Sequence, residues 1–238
     1  MKDKIVAKGK WEFNADVSKC FADMIARSIP DFWTMRDLVV SLTLQHLDSI
    51  KSKRKTILDI GCSTGESLSH YVNLKDVSVI GIDNSSDMIK ECKMLYPNDV
   101  YKNVHIFEND IKNFPIPKNQ YHIIQSILTL QFIPINYRQE IIENIYNGLN
   151  SNGCFIFVEK CLPNNVETAK RYREIYHNIK EKNGYTQEQI LAKEKSLENV
   201  LIPLTYDWNI EMLKNAGFKK IDCFWKCLNF CGFIAFKE

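Results

Sequence analysis

The first residues with the types and spacing to do chemistry lie in Asp59-Ile60-Gly61-Cys62-Ser63-Thr64-Gly65. An apolar stretch, Thr56–Ile60, reads as a buried strand that runs into a turn rich in glycine and hydroxyl residues, and a helical pattern begins at Glu66. Glycine in such a turn lets the backbone approach a ligand, and the free N–H groups of a helix start favour a negative or polar group. Ser63 stands where a G-x-G-x-x-G turn has its middle glycine, so nothing here demands a diphosphate. About 20 residues on, a second apolar stretch ends in Asp83-Asn84, where a nucleotide-binding unit places a carboxylate on two ribose hydroxyls. A third ends in Asp110-Ile111. Three polar strand ends in one rhythm describe a nucleoside crevice, and S-adenosylmethionine, a nucleoside carrying an amino acid, suits it better than NAD. S-adenosylhomocysteine would then be the product.

A sulfonium is already an activated methyl donor, so the protein has only to hold a nucleophile in line and exclude water. The side chains that could orient or deprotonate an acceptor are Gln131, Glu159, Tyr176, His177 and Tyr206. No metal is expected. Cys223, Cys227 and Cys231 recur every four residues, yet they fall in strand-like stretches without a C-x-x-C pair or a neighbouring histidine, and the eight cysteines read as buried thiols. The net charge of +2 is spread along the chain, which gives no support to a nucleic-acid partner. The N-terminus is too polar for a signal peptide and no apolar run reaches the roughly 18 residues of a membrane span, so a cytoplasmic protein acting on a small molecule is expected.

The elements that must position these residues alternate. Strands are predicted at Thr56–Ile60, Val77–Asp83, Val104–Asp110, Tyr121–Ser126 and Cys154–Glu159, separated by helices at Glu66–Leu74, Ser86–Met94 and about Asn136–Leu149. Alternation means a parallel sheet with helices on both faces. A helix at Asp207–Asn215 and two strands, Lys220–Trp225 and Leu228–Lys237, finish the chain as a hairpin. The prediction is a single α/β domain over 1–238: a Rossmann-like class I methyltransferase fold with a seven-stranded, mostly parallel sheet and one antiparallel strand. Two additions decorate it. Residues 1–55 hold two helices that either close over the crevice as a lid or merely cover the sheet. Residues 162–202 form a polar helical insertion beside the crevice, suited to an acceptor pocket or a subunit contact, its charge runs reading mostly as a solvated face.

Taken together, these segments resemble the carboxy-S-adenosylmethionine synthases of the tRNA wobble-uridine pathway. The resemblance rests on Phe21–Pro30, Asp59–Ser63, Ile82–Ser85, Asp110-Ile111, Leu130–Phe132, Tyr146–Asn150, Asn183–Tyr185, Leu197–Val200 and Ala216–Phe218. It implies a homodimer in which Gly61, Cys62 and Ser63 contact the amino-acid end of the cofactor, Asp83 and Asn84 the ribose, and Asp110 and Ile111 the adenine, with Asp59 and Gly65 completing the turn. Three positions depart from the family: Phe32 replaces a tyrosine, Ile127 an asparagine, and Glu194 the arginine that binds the extra carboxylate. A glutamate there would repel a carboxylate, unless Lys193 or Lys195 substitutes. The expectation is therefore a small-molecule methyltransferase that has kept the cofactor site and lost the carboxylate site, with Glu159, Glu194 and Lys195 in the substrate pocket. The alternatives are carboxy-S-adenosylmethionine synthesis from S-adenosylmethionine and prephenate, intramolecular cyclisation of the aminobutyryl chain, and a non-catalytic cofactor-binding module.

Overall fold

Ile57 and Leu58, Ile123 and Ile124, Phe155 and Ile156, and Phe233 and Ile234 are sequence neighbours that point to opposite faces of one sheet, and each is buried. A strand buried on both faces must be apolar at consecutive positions, because successive side chains alternate in direction. The computed structural model describes residues 1–238. Its strands are β1 (Lys55–Ile60), β2 (Val77–Asp83), β3 (Val104–Glu108), β4 (Tyr121–Ile127), β5 (Leu149–Leu162), β6 (Leu204–Thr205), β7 (Lys220–Cys227) and β8 (Phe230–Phe236). Seven run in the order β3-β2-β1-β4-β5-β8-β7, and the two-residue β6 adds to the end of β5. Only β8 is antiparallel to its neighbours. This is a Rossmann-like methyltransferase sheet, as predicted, with one short strand more.

The helices are α1 (Ala15–Ser28), α2 (Phe32–Ser49), α3 (Ser86–Leu95), α4 (Ile135–Gly148), α5 (Val166–Lys182), α6 (Gln187–Ser196) and α7 (Tyr206–Ala216). One sheet face is covered by α2 and α3, the other by α4 and α7. α2 is thus a cover for the sheet, with Met35, Val39 and Leu47 buried against it. α1 belongs instead to a separate small core with Trp11 and Met88, above the crevice.

The helix predicted over Glu66–Leu74 does not form; a single 3-10 turn at Leu68–His70 takes its place. The segment is instead drawn out, with Leu68, Tyr71 and Val72 buried on the face that α2 also covers.

Candidate active site

The carboxyl ends of β1, β2 and β4 open into one cavity of about 520 Å³, within the usual range for ligand sites of roughly 300–1,000 Å³. Its floor is the glycine turn. Gly61 (φ +75°) and Ser63 (φ +52°) are both left-handed, which folds the backbone sharply after β1. A Cβ on Gly61 would overlap the Thr129 side chain, so the glycine is required by the turn after β4 rather than by a ligand alone. Gly65 is a correction: it does not line the cavity, and a Cβ there would come 2.7 Å from Cys92 Sγ and 2.8 Å from the Tyr96 ring, which makes it a packing residue. Asp59 lies fully buried beneath the turn, accepts from the Ser67 hydroxyl, and is pushed up to about 6 by burial.

Asp83 is held rigidly at the end of β2. Its carboxylate accepts the Ser63 N–H (3.0 Å) and the Ser85 N–H (2.9 Å), and burial pushes its pKa up. Those two bonds orient the carboxylate and leave lone pairs for a diol. Asn84, Asp110 and Ile111 line the same wall, and Lys112 steadies Asp110 at 3.2 Å. Phe32 and Ile127 also face the cavity. The residues expected to hold S-adenosylmethionine therefore converge, and a buried, backbone-oriented acid at the ribose position fits that ligand.

Four of the expected catalytic and pocket residues are placed otherwise. Gln131 borders the cavity, but its amide donates to the Leu128 carbonyl (3.3 Å) and accepts the Lys160 N–H (2.8 Å), which ties the turn after β4 to β5. Glu159 points behind that turn, outside the cavity; burial pushes it up to about 8 against the pull of Arg138 and the N–H groups of residues 129–131. Tyr206 is the first residue of α7, its ring 5.2 Å from that of Phe233 and away from the cavity. Lys195 is exposed on the far face of α6. The side chains that do converge from the insertion are Tyr176, His177 and Glu194.

Sequence reasoning missed Lys160, Arg173 and Lys180 among their neighbours, and named Lys193 only as a substitute for the family's arginine. Arg173, Tyr176, His177 and Lys180 recur at i, i+3, i+4 and i+7 of α5 and all line the cavity. That spacing marks one helix face, and it was the available signal. Lys160 and Lys193 join them. Arg173 grips Glu194 through two 2.6 Å bonds, Nε to Oε1 and Nη2 to Oε2, and His177 Nε2 lies 3.6 Å from the same carboxylate. The guanidinium holds Glu194 below the usual carboxylate range. Glu194 is thus neutralised rather than free to repel an anion. Burial lowers Lys180 to about 8, with Lys160 adding to the effect, and lowers Lys193 to about 6 where it rests on the Trp11 ring.

The roof comes from the N-terminus and α1. Trp11 donates its N–H to the Ser196 carbonyl (2.9 Å), Phe13 accepts the Ser85 hydroxyl, and both aromatic rings line the cavity. Arg27 bonds the Asn183 carbonyl (2.8 Å), Asn183 returns a bond to the Arg27 carbonyl (2.9 Å), and the guanidinium lies 4.0 Å from the Tyr185 ring centre. Two sequence motifs 156 residues apart so clamp α1 onto the α5–α6 turn.

A methyltransferase-domain family model matches residues 57–153. The carboxy-S-adenosyl-L-methionine synthase of Campylobacter lari is 37% identical over 249 residues, covering 100% of both chains. The chain belongs to the carboxy-S-adenosyl-L-methionine synthase family. The synthase of Methylococcus capsulatus is 31% identical, over 94% of this chain and 93% of its own. The fold extends further: the CurJ carbon methyltransferase has a TM-score of 0.61 at 13% identity, over 84% of this chain and 53% of that one. A methyltransferase bound to the Trm112 activator of Haloferax volcanii gives 0.60 at 12%, over 96% and 99%. Family membership makes this an enzyme of the S-adenosylmethionine-dependent methyltransferase superfamily.

Proposed function

We propose that this chain makes carboxy-S-adenosylmethionine, joining a carboxylate from prephenate to the methyl carbon of S-adenosylmethionine. One observation carries the reading beyond family resemblance: Arg173, held bidentately by Glu194, brings a guanidinium to the cavity wall from which the family's arginine is missing. Guanidinium pairs with carboxylate through a planar fork, and Glu194 occupies one edge of that fork while Nη1 stays free of it. This support moves the reading from methyl transfer to carboxylation.

The reaction balances as a single exchange. The bond between the prephenate ring and its carboxylate breaks, and the carboxylate carbon bonds the former methyl carbon. The ring hydroxyl leaves as water with a proton from that methyl, and phenylpyruvate remains. S-adenosylmethionine supplies an electrophilic sulfonium whose methyl protons are acidified. Asp83 and Asn84 would hold the ribose, Asp110 and Ile111 the adenine, and Gly61 to Ser63 the amino-acid end. The cationic wall neutralises the incoming carboxylate, and the aromatic roof excludes water that would compete for the reacting carbon.

The test is to purify the protein from cells, release its ligands with acid and identify the nucleoside by mass spectrometry. Carboxy-S-adenosylmethionine is the expected result. If only S-adenosylmethionine or S-adenosylhomocysteine appears, and prephenate added to the purified enzyme yields no carboxylated product, methyl transfer to a small acceptor becomes the assignment.

A further inference from the structure

Two cations in the cavity wall, buried Lys180 and half-buried Lys160, have no acid to answer them. Lys180, 8% exposed, directs its ammonium to 4.2 Å from the centre of the Tyr176 ring, and Lys160 lies 5.3 Å from the same ring. No carboxylate lies within 4 Å of either. The one acid that acts on both is Glu194, and Arg173 already takes its two oxygens. Both lysines face open cavity rather than protein. Burying an ammonium without a counter-charge is costly, a tyrosine face returns only part of that cost, and two like charges beside one ring add repulsion. An arrangement of this kind is stable in use only when an anion arrives.

We propose that Lys160 and Lys180, both beside the Tyr176 ring, form an anion site that binds the carboxylate the donor keeps, separate from the Arg173 position that meets the carboxylate being transferred. The inference rests on the carboxylation reading and sharpens it, because it requires a donor with two anionic groups. In prephenate these are the ring carboxylate, which moves, and the 2-oxo-acid carboxylate, which leaves unchanged on phenylpyruvate. Lys160 and Lys180 are positioning residues for the donor. They make no bond to the atoms that exchange.

The site is tested with phenylpyruvate as the probe, by calorimetric titration of the wild type and of Lys160→Met, Lys180→Met and Lys180→Arg. Methionine keeps most of the aliphatic stem, and S-adenosylhomocysteine affinity reports whether the fold and nucleoside crevice are intact. Phenylpyruvate should bind at least tenfold more weakly to both methionine variants, with S-adenosylhomocysteine affinity unchanged and Lys180→Arg recovering most of the loss. In turnover the KM for prephenate should rise by a similar factor while the KM for S-adenosylmethionine stays constant. Equal phenylpyruvate affinity in the wild type and both methionine variants, or none in the wild type, overturns the anion site. If the wild type binds phenylpyruvate through these lysines but forms no carboxylated nucleoside, the site stands and the proposed reaction falls.

Discussion

Arg173 and Glu194 face each other across the insertion as a half-exposed ion pair, side chains 55% and 38% exposed. Pairs at that exposure contribute at most about 1 kcal/mol to stability, so the pair is better understood through the charge it presents to the cavity. Arg173→Leu should lower kcat/KM for the carboxylate donor by about 100-fold, roughly 2.7 kcal/mol of transition-state stabilisation at 1.36 kcal/mol per tenfold, with the melting temperature little changed. The reciprocal exchange, Arg173→Glu with Glu194→Arg, keeps the pair and moves the guanidinium to the family's position. It should restore most of the activity. Steady-state kinetics of carboxylated nucleoside formation check both, and a fully active Arg173→Leu enzyme would show that the guanidinium is not the clamp. Read alone, Glu194 looked like the loss of an anion site, because its partner lies 21 residues away on another helix.

The turn after β4 is the element that joins the cofactor floor to the insertion. Leu128 adopts φ +59°, Gln131 ties the turn to β5, and Glu159 is buried behind the turn with its Oε1 unpartnered. Burial raises the Glu159 pKa from 4.5 to about 8, so the folded state binds its proton more tightly than the unfolded chain. The resulting stability is fully present below pH 4.5 and is lost as pH rises through about 8. Glu159→Gln keeps the shape and stays neutral. It should flatten the fall in stability between those limits and raise the stability at pH 9 by up to about 1.4 kcal/mol per pKa unit removed, seen as a higher melting temperature. Thermal denaturation of both proteins across that range decides it; parallel curves would mean that Glu159 titrates like an exposed acid. The predicted helix after β1 is an element-scale difference: its residues are helix-compatible, yet Leu68, Tyr71 and Val72 are buried around a single 3-10 turn.

At the scale of the molecule, the crevice is closed by two regions far apart in sequence: the N-terminal segment with α1, and the α5–α6 insertion. Asp3 accepts the Tyr185 hydroxyl at 2.6 Å, Trp11 is pinned to Ser196, and Phe13 to Ser85. Removing residues 1–13 should leave the sheet folded and raise the KM for S-adenosylmethionine by about tenfold, a cost of about 1.4 kcal/mol, with a melting temperature several degrees lower. Kinetics and circular dichroism of the truncated protein read this out; an unchanged KM would mean that the segment is only a cover. The strands, their order of alternation and the acids that line the cavity at the strand ends, Asp83 and Asp110, were legible in sequence because they depend on local pattern. Consecutive apolar residues make a buried strand, and a polar residue at its carboxyl end faces the crevice wherever the sheet is parallel. The charge of the reaction end was not legible. Lys160 and Lys180 look like solvated surface when each is read among its sequence neighbours, and only tertiary packing turns them toward the cavity and takes them largely out of water. Burial decides whether a lysine is a solubilising charge or a binding site, and burial is a property of the assembled fold.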